Sequence, residues 1–120
     1  MMNEKTFAAK YGIRSLSKLE KMHWVGISGN PSCWLGPIWI NTSYFCYKGL
    51  LRYGYEAEAR ELAEVTVKML GEDVIACGEM HEYYHPDTGE GVHNQGFQSW
   101  NLLVNNMLAY LEGREAVEEF

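Results

Sequence analysis

Apolar residues recur at helical spacing in three segments of the chain, and Gly or Pro marks their ends. The first predicted helix runs from about Pro37 or Ile40 to Tyr53 and is apolar around much of its circumference, which is typical of a buried helix. The second, from about Glu56 to Leu70, is amphipathic and is predicted to stop at Gly71. The third, from about Gln98 to Leu111, is again broadly apolar. The pattern therefore predicts one half-exposed helix between two buried ones.

The remaining segments lack a helical period. Residues 1–33 are predicted to be irregular, with a helical turn from Phe7 to Tyr11 and a loop near residues 26–32. Between residues 72 and 97, short strands are predicted at Val74–Ala76 and at Met80–Tyr84. The sequence Pro86-Asp87-Thr88-Gly89 predicts a tight turn, because Pro fixes φ and Gly permits a positive φ.

Composition narrows the class of protein. A chain of 120 residues predicts one domain, and a net charge of −6 without a Lys or Arg cluster argues against nucleic acid as a partner. No apolar run approaches the ~20 residues that span a bilayer, so we expect a cytoplasmic protein with no membrane partner. The three cysteines, Cys33, Cys46 and Cys77, cannot all pair within one chain and are predicted to be reduced thiols.

The stretch from Gly78 to Glu90 carries a carboxylate among aromatic residues, just before the predicted turn. One interpretation takes His81-Glu82-x-x-His85 as a zinc peptidase signature, which requires a helix to bring both imidazoles to one face. Pro86 disfavours helical backbone at the residue before it, and Tyr83-Tyr84 favours a strand. In a strand the two imidazoles would lie ~13 Å apart. We therefore expect no metal site and no cofactor.

An ordered set of short motifs favours a different interpretation. In chain order they are Tyr11-Gly12-Ile13-Arg14-Ser15-Leu16-Ser17, Trp34-Leu35-Gly36-Pro37-Ile38-Trp39-Ile40-Asn41, Gly49-Leu50-Leu51-Arg52-Tyr53-Gly54, the segment from Glu82 to Gly91, and Phe97-Gln98-Ser99-Trp100. Together they resemble the C-terminal part of glycoside hydrolase family 63 and its mannosylglycerate-hydrolase-like relatives, with family 37 trehalases as more distant relatives. The resemblance covers about Phe7 to Leu111.

The resemblance implies an all-α fold of inner and outer helical hairpins of the (α/α)6-barrel type. Only the C-terminal portion of such a barrel would be present, as a single partial domain over residues 1–120 with a short β-like loop around residues 74–95. It implies inverting hydrolysis of an O-glycosyl bond, in which one carboxyl group protonates the leaving oxygen and a second activates water. Glu82 matches the general base. The implied substrate is a carbohydrate, an α-glucoside or a mannosyl- or glucosylglycerate-like compound.

The same resemblance supplies the candidate substrate-binding residues. Trp34 and Trp39 match aromatic residues that line the sugar pocket, and Asn41, Tyr44 and Trp100 are further matches. Aromatic faces suit the C–H surfaces of sugars, and an indole N–H can donate to a hydroxyl group.

Two departures from the family pattern bear on activity. The family often has Trp-Arg-Gly-Pro where this chain has Trp34-Leu35-Gly36-Pro37. The family's general acid is an aspartate far upstream of the matched region, and neither Asp73 nor Asp87 fits its motif. We therefore predict a chain that carries the base without the acid and has little or no activity alone. Its partner would be the missing barrel portion or another copy of itself. The alternatives are a non-catalytic sugar-binding or self-associating helical fragment and, with less support, the zinc peptidase.

Overall fold

Three helices are the largest elements of the structure, a computed structural model that describes residues 1–24 and 34–117. Helix α1 spans Ile40–Arg52, α2 spans Glu56–Cys77, and α3 spans Val104–Leu111, entered through a 3₁₀ turn at Ser99–Leu103. The predicted helical character is confirmed, with two small sheets in addition. Among the described residues, none of the helices has the length and apolarity needed to span a bilayer.

Helix α2 is longer than the sequence predicts. It continues through Gly71 to Cys77, so the predicted stop at Gly71 and the predicted strand at Val74–Ala76 are wrong. A Cβ atom at Gly71 would meet nothing within 4 Å, and its backbone stays helical. The helix ends instead at Gly78, whose φ of 79° is the left-handed conformation that commonly terminates helices.

The N-terminal segment is a hairpin rather than a helical turn. Strands β1 (Ala8–Ala9) and β2 (Gly12–Ile13) pair antiparallel, with Ala8 opposite Ile13, so the helical turn predicted from Phe7 to Tyr11 is wrong. The loop predicted near residues 26–32 and the Cys33 thiol lie outside the described residues.

A small layer of extended backbone joins distant parts of the sequence. Strands β3 (Tyr83–Tyr84) and β4 (Gly91–His93) form a second antiparallel hairpin. The strand predicted at Met80–Tyr84 is confirmed only for its last two residues, and the predicted turn before Gly91 is confirmed. Ile38 lies between Arg14 and Tyr84 as an isolated bridge to each. Its N–H and C=O both pair with Tyr84, at 2.9 Å. The first, second and fourth sequence motifs therefore meet in one layer.

The core consists of two apolar clusters on either side of α1. One lies between the three helices and contains Tyr44, Tyr47, Leu50, Leu62 and Met107. The second lies beneath the extended layer, where residues before α1 and on β3 pack on the later part of α2; its members are Ile38, Ile40, Met69, Leu70 and Tyr84. Each large side chain buried this way contributes about 1.5–3 kcal/mol. The second cluster fixes β3, and with it Glu82, against α2.

Candidate functional site

Glu82 lies immediately before β3 and is half-buried. Its backbone N–H donates to the carbonyl oxygen of His93 at 2.9 Å, and its Oε2 accepts from Asn94 Nδ2 at 2.7 Å. Oε1 has no hydrogen-bond partner within residues 1–24 and 34–117. The carboxylate is thus held in position through one of its two oxygens.

Four aromatic rings, one of them on the residue that follows Glu82, pack on one another. We call Trp34, Trp39, Tyr83 and Trp100 the aromatic cluster. Trp34 stacks on Trp39 with ring centroids 3.8 Å apart and planes within 11°. Trp39 in turn lies 5.1 Å from the ring of Tyr83 and 5.9 Å from that of Trp100. Tyr83 is the residue after Glu82, so the cluster packs against the backbone segment that carries the carboxylate.

The members of the aromatic cluster differ in their exposure and in their unpaired hydrogen-bond donors. Trp34 is 40% exposed, whereas Trp39 behind it is 1% exposed. Trp39 therefore supports Trp34, which is the member of this stacked pair that reaches the surface. The Nε1 of Trp100 is buried without a hydrogen-bond partner among the described residues, a loss worth about 1–3 kcal/mol that an incoming acceptor would recover.

The other two substrate-binding candidates have different surroundings. Asn41 lies in the first turn of α1, where its Oδ1 accepts from the backbone N–H of Thr42 at 2.8 Å. Tyr44 is 1% exposed in the helical core, with its ring against Phe45 and Tyr47. The structure brings the three tryptophans together with Tyr83, the residue after Glu82, while the contacts of Tyr44 are those of a core residue. The role of each candidate stays a prediction.

A partly buried hydrogen-bond network around the residues that flank Glu82 was not predicted from the sequence. Asp73, on the last part of α2, accepts at Oδ2 from the Tyr84 hydroxyl and from His81 Nδ1, both at 2.7 Å, and from the His81 backbone N–H at 3.2 Å. Asn101 Nδ2 donates to the carbonyl oxygen of His81 at 2.7 Å. These bonds hold the residues on both sides of Glu82.

The network sets the protonation of its members. Burial pushes the pKa of Asp73 upward, but hydrogen bonds from His81, Tyr84 and Cys77, with the charge of His81, hold it below its usual value. Burial raises the pKa of the Tyr84 hydroxyl, and the hydrogen bond to Asp73 raises it further. Tyr84 thus remains a donor and Asp73 an ionised acceptor. The sequence feature that could have indicated this network is the i, i+4 spacing of Asp73 and Cys77. This spacing places the two side chains on one face only if α2 continues past Gly71.

The two histidines of the zinc peptidase signature do not face a common point. His81 contacts Asp73, whereas Nδ1 of His85 accepts from the backbone N–H groups of Asp87 and Thr88 at 3.2 and 3.3 Å. The intervening residues are strand β3 rather than helix. The peptidase interpretation is therefore wrong, for the reason that Pro86 and the two tyrosines indicated.

The turn after β3 is anchored to the N-terminal hairpin. The guanidinium of Arg14, 3% exposed, donates to Asp87 Oδ1 at 3.1 Å and to the carbonyl oxygen of Ala8. Gly89 packs so closely on the ring of Tyr11 that a Cβ atom would lie 2.7 Å from it. The hairpin that follows Glu82 is thereby fixed at its far end.

Comparison with known proteins identifies the family. The family model described as the mannosylglycerate hydrolase MGH1-like glycoside hydrolase domain matches residues 1–100. This chain belongs to that glycoside hydrolase family. The match includes Glu82 and all four members of the aromatic cluster.

Individual relatives support the same family assignment. A mannosylglycerate hydrolase of Rubrobacter radiotolerans is 42% identical over 71 residues, 59% of this chain and 15% of that protein. A probable mannosyl-oligosaccharide glucosidase of Schizosaccharomyces pombe is 30% identical over 117 residues, 89% of this chain and 14% of that protein. The crystal structure of the GH63 mannosylglycerate hydrolase from Thermus thermophilus in complex with glucose superposes with a TM-score of 0.65 at 28% identity.

That structural match covers 88% of this chain and 23% of the Thermus protein. The chain therefore spans about one seventh of the two curated relatives and under a quarter of the solved structure. The family 63 resemblance indicated by the sequence motifs is confirmed over most of the chain.

Proposed function

We propose that this chain supplies the general base and one aromatic wall of an inverting glycoside hydrolase site of the (α/α)6-barrel type, with Glu82 as the base. The observation that carries the proposal is the placement of Glu82. It is half-buried, one oxygen is tied to Asn94 and the other is free of partners among the described residues, and it directly precedes a member of the aromatic cluster. This is the environment that a base needs in order to hold a water molecule beside a sugar.

In the proposed reaction, Oε1 of Glu82 accepts a proton from water while the water oxygen bonds to the anomeric carbon. The bond from that carbon to the leaving oxygen breaks, and a general acid protonates the leaving oxygen. The chain's aspartates are occupied otherwise, Asp73 with Tyr84 and His81 and Asp87 with Arg14. For this reason we expect the isolated 120-residue chain to have little or no activity.

The proposed substrate is a small α-glycoside whose sugar ring stacks on the exposed face of Trp34. The tryptophan face suits the C–H surface of the ring, and the unpaired Nε1 of Trp100 is a donor for a hydroxyl group. The names of the relatives, mannosylglycerate hydrolase and mannosyl-oligosaccharide glucosidase, favour a glucoside or a mannosyl- or glucosylglycerate-like compound. A cytoplasmic location stays a prediction.

Sugar binding tests the site in the chain as it stands. Titration with glucose, followed by ¹⁵N NMR, is expected to shift the indole N–H signals of Trp34 and Trp100 and the side-chain amide of Asn94. Trp34→Ala should weaken binding about 10-fold, because a ring contact of this kind contributes about 1–1.5 kcal/mol.

The matched control is Tyr53→Ala, which removes an aromatic side chain that is 80% exposed. Tyr53 lies at the far end of α1, about 20 Å from the cluster by helix length, and its loss should leave the titration unchanged. Equal weakening by both variants, or shifts confined to residues away from Glu82 and the aromatic cluster, would contradict a sugar site at this place.

A further inference from the structure

A second group of reactive side chains lies on the other side of β3, at the C-terminal end of α2. Asp73 and Cys77 are one helical turn apart on α2, and the αL residue Gly78 turns the chain back so that His81 meets both. One carboxylate oxygen, the Cys77 sulfur and one imidazole nitrogen all lie within 4.8 Å of one another. An oxygen, a sulfur and a nitrogen donor thus converge at one point.

The distances between these donors approach those of a metal site. In a tetrahedral zinc site, Zn–N and Zn–S bonds of about 2.0 and 2.3 Å place neighbouring donor atoms about 3.3–3.6 Å apart. Cys77 Sγ lies 3.4 Å from Asp73 Oδ1, and His81 Nδ1 lies 2.7 Å from Asp73 Oδ2. The three donor atoms lie within 4.8 Å of one another, so ligation requires the imidazole to move away from the carboxylate and the donors to close around the ion.

Neighbouring residues restrain two of the three donor side chains, those of Asp73 and His81. The side chains of Asp73 and His81 are 10% and 17% exposed. Tyr84 donates to Asp73 Oδ2 at 2.7 Å, and the backbone of Gly91 approaches the His81 ring so closely that a Cβ atom would lie 2.2 Å from it. Hydrogen bonds to ligating carboxylates and restrained imidazoles are typical of metal sites. Cys77 is the exposed member of the group, so an ion could enter from its side.

We propose that Asp73, Cys77 and His81 form a binding site for a divalent transition metal ion of the zinc class. Three protein ligands leave a fourth position toward an open depression of about 550 Å³, which Glu72, Glu90 and Gln95 also line. A thiolate and an imidazole select zinc-like ions over Mg²⁺ and Ca²⁺, which prefer oxygen ligands only. The C-terminal end of α2 adds favourable electrostatics for a cation.

Binding has a defined proton balance. The Cys77 thiol, which now donates toward Asp73, loses its proton to solvent and becomes the sulfur ligand. Nδ1 of His81 now bonds to Asp73 Oδ2, so ligation through this atom requires that it carry no proton. Metal binding is accordingly expected to release at least the thiol proton. The site is independent of whether Glu82 acts as a base.

Cobalt titration of the untagged, metal-free chain tests the proposal. One equivalent of Co²⁺ should produce a sulfur-to-cobalt charge-transfer band and intense visible bands of a tetrahedral ion, and Zn²⁺ but not Mg²⁺ should displace it. Cys77→Ser should abolish the charge-transfer band and weaken Zn²⁺ binding at least ~100-fold, since even losing an outer-shell partner costs 10–100-fold. Zn²⁺ should raise the unfolding temperature of the unsubstituted chain and not that of Cys77→Ser.

The matched control removes the other two thiols. Cys33→Ser/Cys46→Ser leaves Cys77 as the one cysteine and should keep the band and the affinity. Cys77 is exposed, so its replacement should preserve the circular dichroism spectrum, and a folded Cys77→Ser protein makes the comparison interpretable. Absence of Co²⁺ binding, a charge-transfer band that survives Cys77→Ser, or equal Zn²⁺ affinity in both proteins would each overturn the proposal and leave a hydrogen-bonded network only.

Discussion

The Asp73 side chain positions the backbone on both sides of Glu82 through hydrogen bonds. It accepts hydrogen bonds from the backbone and ring of His81, before Glu82, and from the hydroxyl of Tyr84, after it. Since the pKa of Asp73 is lowered in the folded protein, its contribution to stability is present above the ordinary carboxyl pKa of about 3.9. That contribution is lost as the pH falls through the lower, folded-state pKa.

Asp73→Asn tests this contribution. The variant should lose about 2 kcal/mol of unfolding free energy at pH 7, because hydrogen bonds to a charged group are worth about 1.5–3 kcal/mol. Its stability should also fall less steeply than that of the unsubstituted chain between about pH 5 and pH 2. Urea unfolding at several pH values measures both.

Glu72→Gln serves as the control for Asp73→Asn. Glu72 is the neighbouring acid, and its partner is an exposed lysine, Lys68, at 3.8 Å. Exposed pairs are worth about 0–1 kcal/mol, so this variant should stay close to the unsubstituted chain. An equally large loss in the two variants would mean that Asp73 contributes only its charge.

At the scale of elements, the last part of α2 decides where the reactive residues lie. Gly71 sits inside this helix with open space where a Cβ would be, whereas Gly78 ends it with a φ of 79°. The two glycines therefore have opposite requirements, although either one looks like a helix stop in the sequence.

Gly71→Ala should stabilise the chain by about 0.5–1 kcal/mol, because alanine is the better helix former and no neighbour obstructs the methyl group. Gly78→Ala should destabilise it by about 1 kcal/mol, because alanine resists the left-handed conformation. Thermal unfolding of the two variants compares them directly. A loss of stability in Gly71→Ala would show that α2 does not continue to Cys77.

The elements that the sequence predicted correctly are those whose signals are local. The cores of α1 and α3 follow from their apolar period, and the turn from Pro86 to Gly89 follows from its proline and glycine. The end of α2 was missed because Gly71 has the local signature of a stop, which tertiary packing of Met69 and Leu70 on Tyr84 overrides. The cluster of Asp73, Cys77 and His81 was missed for the same reason, since their proximity depends on a helix at that place.

The residues of the candidate site were predicted from the family motifs and not from the periodicity of the sequence. The segment that carries Trp34 and Trp39 meets the segment that carries Glu82 because Ile38 pairs with Tyr84, a pairing between residues far apart in the chain. Periodicity carries no information on such pairing. Tyr44, three residues beyond the second motif, packs in the helical core.

At the scale of the whole molecule, the chain exposes apolar surface between α2 and α3. Ile75 is 87% exposed and Leu102 is 52% exposed, and they border an open groove with Val74, Met80 and Leu108. Such surfaces mark partner contacts or aggregation. The alternative of a self-associating helical fragment rests on this surface, and a folded monomer at high dilution in sedimentation would count against it.

The most direct measurement of the role of Glu82 is the turnover of a chimera in which this chain replaces the matching quarter of the Thermus thermophilus mannosylglycerate hydrolase. Glu82→Gln should lower kcat about 10²–10⁴-fold, the usual contribution of a general base, with little change in KM. Glu79→Gln, which alters an exposed acid three residues earlier, should stay within about 2-fold of the unsubstituted chimera. A chimera that keeps its turnover after Glu82→Gln, or loses it equally after Glu79→Gln, would contradict Glu82 as the base.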